Sequence, residues 1–148
     1  DVVLEVVQGT PVRQAVVLWR AGTFTTLPLP ESASAAAIDS RGEVVGYAYS
    51  SAEGRYKSWR WDGARAVALA VPGRAVDVND AGEIVGQATD TGGAFLYRDG
   101  EVRMLDAMIP PEWTLDSVSA INEAGHVVGV ARNRSSGIKR AVLLTPRD

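Results

Sequence analysis

The sequence predicts an all-β fold, a β-propeller-like ring of four-stranded units, on two observations. First, one phrase occurs three times with Asp39, Asn79 and Asn122 in the same place, 40 and 43 residues apart, and recurrence at such a period is typical of repeat architectures. Second, short apolar runs rich in valine, isoleucine and aromatic residues alternate with clusters of Gly, Asp, Asn and Ser, which favours short strands joined by turns. A β-trefoil is the alternative, but a fourth partial copy at Trp19 favours the propeller.

We divide each repeat into four predicted strands, A to D. Strand A is predicted at 35–39, 74–79 and 117–122, and strand B at 43–49, 83–89 and 126–131. Strand C is predicted at 56–61, 94–98 and 140–144, and strand D at 64–69 and 101–105. The chain is then one repeat domain, 1–148, made of a partial repeat 1–34 and repeats 35–73, 74–116 and 117–148.

The first partial copy begins at strand B. Gly46, the glycine inside strand B, precedes Trp61 by the same number of residues as Leu4 precedes Trp19. This count places Leu4 in the position of Gly46. We therefore expect about three and a half repeats with fourteen strands. Incomplete copies at both ends expose strand edges, which proteins normally pair or cover, so we expect the two ends to pair or a homo-oligomer to complete the ring.

The links between strands fall into two kinds. Each A–B link has Asp or Asn followed three residues later by Gly, as in Asp39 to Gly42, which predicts a type I turn with a left-handed glycine. The C–D links, such as Asp99-Gly100, predict tight hairpins. Successive links of an antiparallel meander lie at alternate ends of the strands. We therefore expect these turns at one rim and the variable loops, where function is more often carried, at the other.

Composition excludes several classes of function. A chain of 148 residues with no cysteine fits one domain without a disulfide or a thiolate site. A formal charge of −3 and a pI of 5.2 provide no basic field, so we expect no nucleic-acid partner. No apolar run approaches the roughly 20 residues of a membrane span, so we expect no membrane insertion. We expect no cofactor.

The second phrase of each repeat carries a family resemblance. The segments Gly93-Ala94-Phe95-Leu96-Tyr97 and Lys57-Ser58-Trp59-Arg60-Trp61, together with the ending from Trp113 to Pro146, resemble the HAF repeat family of bacterial proteins. The family pattern has a histidine that these copies lack. The resemblance implies a propeller-like repeat fold and an extracellular or periplasmic location, and it supplies no catalytic residues.

Sites of chemistry are few in the sequence. His126 is the only histidine, and it stands where Glu43 and Glu83 stand in the other copies, a position we expect to face solvent in a turn. The segment 77–82 is similar to a calcium loop but has Ala81 and, at its twelfth position, Ala88 where oxygen ligands are needed, so turn chemistry explains it better. We expect no metal site.

A binding site is more plausible than a catalytic one at the variable rim. Trp19, Trp61 and Tyr97 share one register of strand C and are expected to pack between units. Trp113 is placed in the long loop 106–116, where an aromatic ring could stack on a sugar or on a partner's side chain. The candidate binding residues are Trp113, Glu112, Arg55, Tyr56, Arg132 and Arg134.

The sequence therefore predicts a non-catalytic binding or interaction scaffold of an exported bacterial repeat protein, with a carbohydrate or protein partner. Two alternatives stay open. One is a hydrolase or lyase that uses rim acids such as Glu112, Asp106 and Asp116, since such chemistry needs two acids flanking a groove. The other is a structural part of a larger propeller with no separate activity.

Overall fold

The protein is all-β, with its strands in four small sheets. The computed structural model describes residues 2–6, 14–30 and 32–146. The first sheet contains β1 (Val2–Val6), β2 (Gln14–Arg20) and β3 (Thr23–Thr26), and the second contains β4 (Ala33–Ile38), β5 (Val44–Ser50), β6 (Arg55–Trp61) and β7 (Ala66–Ala68). The third contains β8 (Gly73–Val78), β9 (Ile84–Ala88), β10 (Ala94–Arg98) and β11 (Glu101–Met104), and the fourth β12 (Trp113–Ile121), β13 (Val127–Asn133) and β14 (Lys139–Leu144).

Each sheet is an antiparallel meander whose strands pair in chain order. The division into a B-C-D unit, two A-B-C-D units and an A-B-C unit is therefore confirmed, and the described residues contain the fourteen strands that the repeat phrases predict. The one helix among the described residues is a short 3-10 helix, Leu105–Met108, in the link between the third and fourth sheets. The described strands form no closed barrel, which a trefoil would need.

The glycine inside strand B lies opposite the same position of strand C in three sheets: Gly46 pairs with Trp59, Gly86 with Phe95 and Gly129 with Val142. In the first sheet the partner of Val17 is Val3. Trp19 lies two residues after Val17, just as Trp61 lies two residues after Trp59, so Val17 corresponds to Trp59. Val3, the partner of Val17, therefore occupies the glycine position, and Leu4 does not. The prediction was wrong by one residue because the first B–C link is one residue longer than the link used for counting.

The sheets pack face to face in chain order. The first sheet contributes Val16 and Leu18 to a cluster with Trp59 and Trp61 of the second. Val45 of the second sheet lies in a cluster with three buried side chains of the third: Ala75, Val78 and Ile84. The third and fourth sheets share a cluster that includes Val85, Ala94, Leu115, Val118, Ile121 and Val127. Each sheet thus contacts the next through buried apolar side chains, which is the main source of stability in such stacks.

The strand C aromatics differ in burial, and the packing order explains the difference. Trp61 is 7% exposed because the first sheet covers it, and Tyr97 is half-buried against the cluster between the second and third sheets. Trp19 is 39% exposed. The prediction that all three pack between units was wrong for Trp19, because the first sheet has no preceding sheet among the described residues.

The glycine inside strand B is required by close approach. A methyl group at Gly46 would overlap the carbonyl oxygen of Ser34 and the six-membered ring of Trp59. At Gly86 the same overlap would involve Arg74 and Phe95. The aromatic ring of strand C thus lies on the bare backbone of strand B, as its recurrence in the sequence predicts.

We expect Gly46→Ala to lower the free energy of unfolding by about 3 kcal/mol or more, because both overlapping groups are fixed in the core. Urea denaturation measures this directly. The matched control is Gly92→Ala, at a loop glycine with open space around it and a φ of +74°, which should cost about 1 to 2 kcal/mol from backbone strain alone. Equal losses in the two variants would contradict the packing role of the glycine.

Candidate functional site

One end of the sheets, which we name the turn end, carries the A–B and C–D turns. In the third sheet the backbone N–H of Gly82 donates to the carbonyl of Asn79 at 2.9 Å, and Gly82 has a φ of +77°. The side chain of Asn79 accepts the backbone N–H of Glu83 at 3.0 Å. The other two A–B turns repeat this pattern, with Gly42 following Asp39 and Gly125 following Asn122. The predicted turn chemistry is confirmed.

Hydrogen bonds also join the A–B turns of adjacent sheets. The carboxylate of Asp80 accepts the backbone N–H of Ser40 at 2.8 Å and its hydroxyl at 2.5 Å. On its other side, the backbone N–H of Asp80 donates to the Glu123 carboxylate at 2.9 Å. One residue thus connects the turns of three sheets. The turn end is therefore a bonded array rather than a set of free loops.

The segment similar to a calcium loop is part of this array. The carboxylate of Asp77 accepts the backbone N–H of Ile121 at 2.8 Å, and the amide of Asn79 donates to the carbonyl of Asn122 at 3.0 Å. Both side chains are therefore committed to the fourth sheet. The described residues also contain no group of three or more His, Asp or Glu side chains arranged to hold a metal ion.

The position shared by Glu43, Glu83 and His126 is not the solvent-facing one that we predicted. Glu83 is 3% exposed and its carboxylate accepts the Asn79 amide at 2.6 Å and pairs with Arg98. Glu43 is half-buried and pairs with Arg60. The turn directs these carboxylates along the sheet toward strand C, where an arginine compensates the charge, as buried acids require.

The Asp80 carboxylate should contribute to stability in a pH-dependent way. The Ser40 hydroxyl and backbone N–H hold the pKa of Asp80 below its ordinary value, so its contribution is complete above that value. The contribution is lost as the pH falls through the lower folded pKa, below about pH 4. We expect Asp80→Asn to flatten the acid limb of the stability curve, measured by thermal denaturation from neutral to acid pH. The control is Asp99→Asn, in an exposed hairpin turn, which should leave the limb unchanged.

The opposite end, which we name the link end, carries the B–C and D–A links and two clefts. The first cleft has a volume of about 570 Å³. It lies between the D–A link at 28–30 and Ser32, the end of β5 with the first residues of the B–C link, 51–52, and strand β7. Tyr49, which is 47% exposed, and Trp59 provide its aromatic lining. The indole N–H of Trp59 has no hydrogen-bond partner among the described residues. The lining is mainly apolar, with Lys57 as its charged member.

Two of the predicted binding residues, Arg55 and Tyr56, lie beside this cleft on β6. Tyr56 makes edge-to-face contacts with Tyr47 and Tyr49, and the guanidinium of Arg74 lies 5.0 Å from its ring centre. Arg55 forms ion pairs with Glu53, at 2.8 Å, and with Asp90 in the B–C link of the third sheet, at 3.6 Å. Arg55, Tyr56, Glu53 and Asp90 lie outside the cleft lining.

The other four predicted residues lie together at the link end of the fourth sheet. The backbone N–H of Arg134 donates to the carbonyl of Glu112 at 2.8 Å, and its guanidinium donates to the carbonyl of Trp113. Trp113 lines a second cleft of about 280 Å³ with Ile109, Pro110 and Arg140. No hydrogen bond or ion pair among the described residues joins this group to Arg55 and Tyr56, so the six residues form two groups at one end.

Trp113 is in a strand and not in the loop where we predicted it. It is the first residue of β12 and pairs with Asn133. The pairing continues through Thr114 with Arg132 and Leu115 with Ala131, up to a register shift at Asp116. Asp116 forms ion pairs with Arg132 at 2.5 Å and with Lys139 at 2.9 Å. The strand therefore begins four residues before the predicted start.

The rim acids proposed for catalysis have structural partners. The ammonium of Lys139 and the guanidinium of Arg132 hold the pKa of Asp116 below its ordinary value. Asp106 accepts three hydrogen bonds, from the backbone N–H groups of Ala94 at 2.9 Å and Leu115 at 2.8 Å and from the hydroxyl of Thr114 at 3.0 Å. Asp106 thus joins the third sheet to the fourth. Glu112 is exposed in the link before β12.

We expect Asp106→Ala to lower the free energy of unfolding by about 2 to 4 kcal/mol, because it leaves the buried N–H groups of Ala94 and Leu115 without an acceptor. Chemical denaturation measures the loss. Glu112→Ala, at an exposed acid in the same link, is the control and should change stability by about 0.5 kcal/mol or less. A tolerated Asp106→Ala would contradict the structural role of this carboxylate.

The sequence did not indicate the residues of the first cleft. Tyr49 and Val67 come from two strands of the second sheet and Leu29 from the D–A link before it. Their juxtaposition depends on how the D–A link crosses the end of the second sheet. Pro28 and Pro30, on either side of Leu29, were the available signal, because closely spaced prolines restrict a link to an extended path.

Comparisons with known proteins add no relative: no protein-family model matches the chain, and no curated protein matches it. The similarity to HAF repeats therefore depends on the quoted residues alone. Among the described residues, no helix is long and apolar enough to span a bilayer.

Proposed function

We propose that the four sheets are consecutive blades of a propeller-like ring and that the chain is a non-catalytic binding scaffold of an exported bacterial repeat protein. Its partner is a carbohydrate or a protein that binds at the link end. The observation that carries the proposal is the difference between the two ends. Hydrogen bonds of Asp80, Asn79 and Asp77 tie the turn end together across three sheets, while the first cleft opens at the link end and the second begins there, at Ile109, Pro110 and Trp113.

The ring-like arrangement is supported by the order of contacts. Strand A of the third sheet, β8, contacts β4, β5 and β6 on one side and β12 on the other. A meander that presents its first strand to both neighbours is the arrangement of propeller blades around an axis. The small residues Ala35, Ala37 and Ala75 in strand A are suited to this crowded position.

The first cleft is the better candidate for the ligand. Its volume of about 570 Å³ lies within the range of about 300 to 1,000 Å³ typical of small-molecule sites. Tyr49, which is 47% exposed, offers an aromatic surface with a polar hydroxyl edge, a combination that suits a sugar ring or a side chain of a partner, while the buried ring of Trp59 forms part of the cleft wall. Lys57, Ser32 and Ser50 supply polar groups around this surface.

The enzyme alternative has less support. Two of the three rim acids, Asp106 and Asp116, are occupied by backbone N–H groups or cations. Neither of these two described acids is then free to act with Glu112 as the second carboxylate that such hydrolysis needs beside a groove.

A thermal-shift screen against glycans and small molecules tests the proposal. We expect a ligand that raises Tm and whose affinity falls about tenfold or more, equivalent to about 1.4 kcal/mol, in Tyr49→Ala. Trp113→Ala in the second cleft and Val102→Ala on β11 of the third sheet are the comparison variants. Loss in Trp113→Ala alone would assign the ligand to the second cleft. Turnover of a ligand that disappears in Glu112→Gln would overturn the scaffold in favour of the enzyme.

A further inference from the structure

The outer face of the fourth sheet is apolar and exposed. Strands β13 and β14 place four side chains on this face, which we name the trailing face: Val128, Val130, Ala141 and Leu143. Val128 is 42% exposed and Leu143 is 60% exposed. The opposite face of the same sheet, with Val127 and Ala131, packs on the third sheet. Exposed apolar side chains that are adjacent on one sheet face often mark an interaction surface.

The trailing face corresponds position by position to faces that are buried in the preceding sheets. Val45 and Val85 directly precede the strand B glycines, as Val128 precedes Gly129, and both are 0% exposed. Each is covered by the next sheet in the chain. Val128 thus occupies a repeat position at which the valine is buried in both the second and the third sheet. The described residues contain no fifth sheet that covers Val128.

The first sheet presents the complementary half of this interface. Trp19 occupies the register of Trp61 and Tyr97, the positions that contact the preceding sheet. Its cross-strand partner is Phe24, which is 63% exposed. We name Trp19 and Phe24 the leading face. Because the exposed fractions of Trp19, Phe24, Val128 and Leu143 are all high, the leading and trailing faces do not cover each other in this structure.

The interfaces between adjacent sheets within the chain show which side chains pack against positions like those of the trailing face. Val45 of the second sheet shares a core cluster with Tyr97 of the third, and Val85 of the third shares one with Leu144 of the fourth. Val45 and Val85 occupy the repeat position of Val128, and Tyr97 and Leu144 occupy the repeat position of Trp19. The trailing face of one chain is therefore built to receive a leading face, and a second copy of the same chain offers one with the matching register.

We propose that two copies of this chain associate head to tail, with the trailing face of each packed on the leading face of the other. The association continues the interface that already joins the four sheets. Two such contacts close a ring of eight sheets, within the range of about four to eight blades of propellers. A head-to-tail contact is heterologous, so it forms a closed ring when the rotation per copy permits and a filament otherwise.

The test measures the mass of the chain by sedimentation equilibrium over a range of concentrations. We expect a dimer, and we expect Leu143→Asp and Phe24→Asp each to raise the dissociation constant about tenfold or more, since charge placed in a desolvated contact is costly. The matched control is Val102→Asp, at a valine of β11 that is 37% exposed and outside both faces. It should leave the dimer unchanged. Circular dichroism and Tm verify that each variant is folded.

A mixing experiment identifies the geometry. Leu143→Asp retains an intact leading face and Phe24→Asp an intact trailing face. An equimolar mixture should therefore form a dimer through one remaining contact at a concentration where each variant alone is mainly monomeric. A wild-type chain that stays monomeric at about 100 μM, a hundredfold above a micromolar dissociation constant, would overturn the proposal. A dimer that Leu143→Asp breaks and Phe24→Asp does not would also overturn it, because the trailing faces would then pair with each other.

Discussion

Burial of each sheet against the next is the constraint on which the rest of this structure depends. A three- or four-stranded meander has two faces and cannot bury either alone. The chain solves this by presenting Val45 and Val85 forward to the following sheet and the strand C aromatic positions back to the preceding one. The glycine of strand B follows from the same constraint, because the Trp59 and Phe95 rings fit between sheets only if they lie on bare backbone.

The two ends of the stack have different freedom because of their hydrogen bonds. At the turn end, Asp80 and Asn79 satisfy backbone groups of their own turn and of the neighbouring sheets. A change in one turn therefore disturbs the next. At the link end, by contrast, links of different length and composition meet the strand ends, and residues of these links and strands together line the two clefts. This division places variable surface on a rigid support, as binding proteins commonly do.

Much of this fold could be predicted from the sequence because its signals are local. The Asp39, Asn79 and Asn122 turns and the alternating apolar runs specify the strands and their pairing, since adjacent strands are joined by short links. The errors lie where contacts between sheets decide. The burial of Glu83 beside Arg98, the exposure of Trp19 and the early start of β12 at Trp113 depend on neighbours that local sequence does not identify. Of the candidate site, the sequence indicated the correct end of the sheets for Trp113 and Arg134, but not the cleft at Tyr49.

The order of contacts has a consequence for how the molecule opens and folds. Because each sheet interacts mainly with the sheets that adjoin it in the chain, cooperativity passes along the stack from one unit to its neighbour, as in linear repeat proteins. The second and third sheets are supported on both sides, while the first and fourth are supported on one. Slow hydrogen exchange should therefore concentrate in β5 and β9, and the outer units should exchange first, through partial opening that leaves the centre intact.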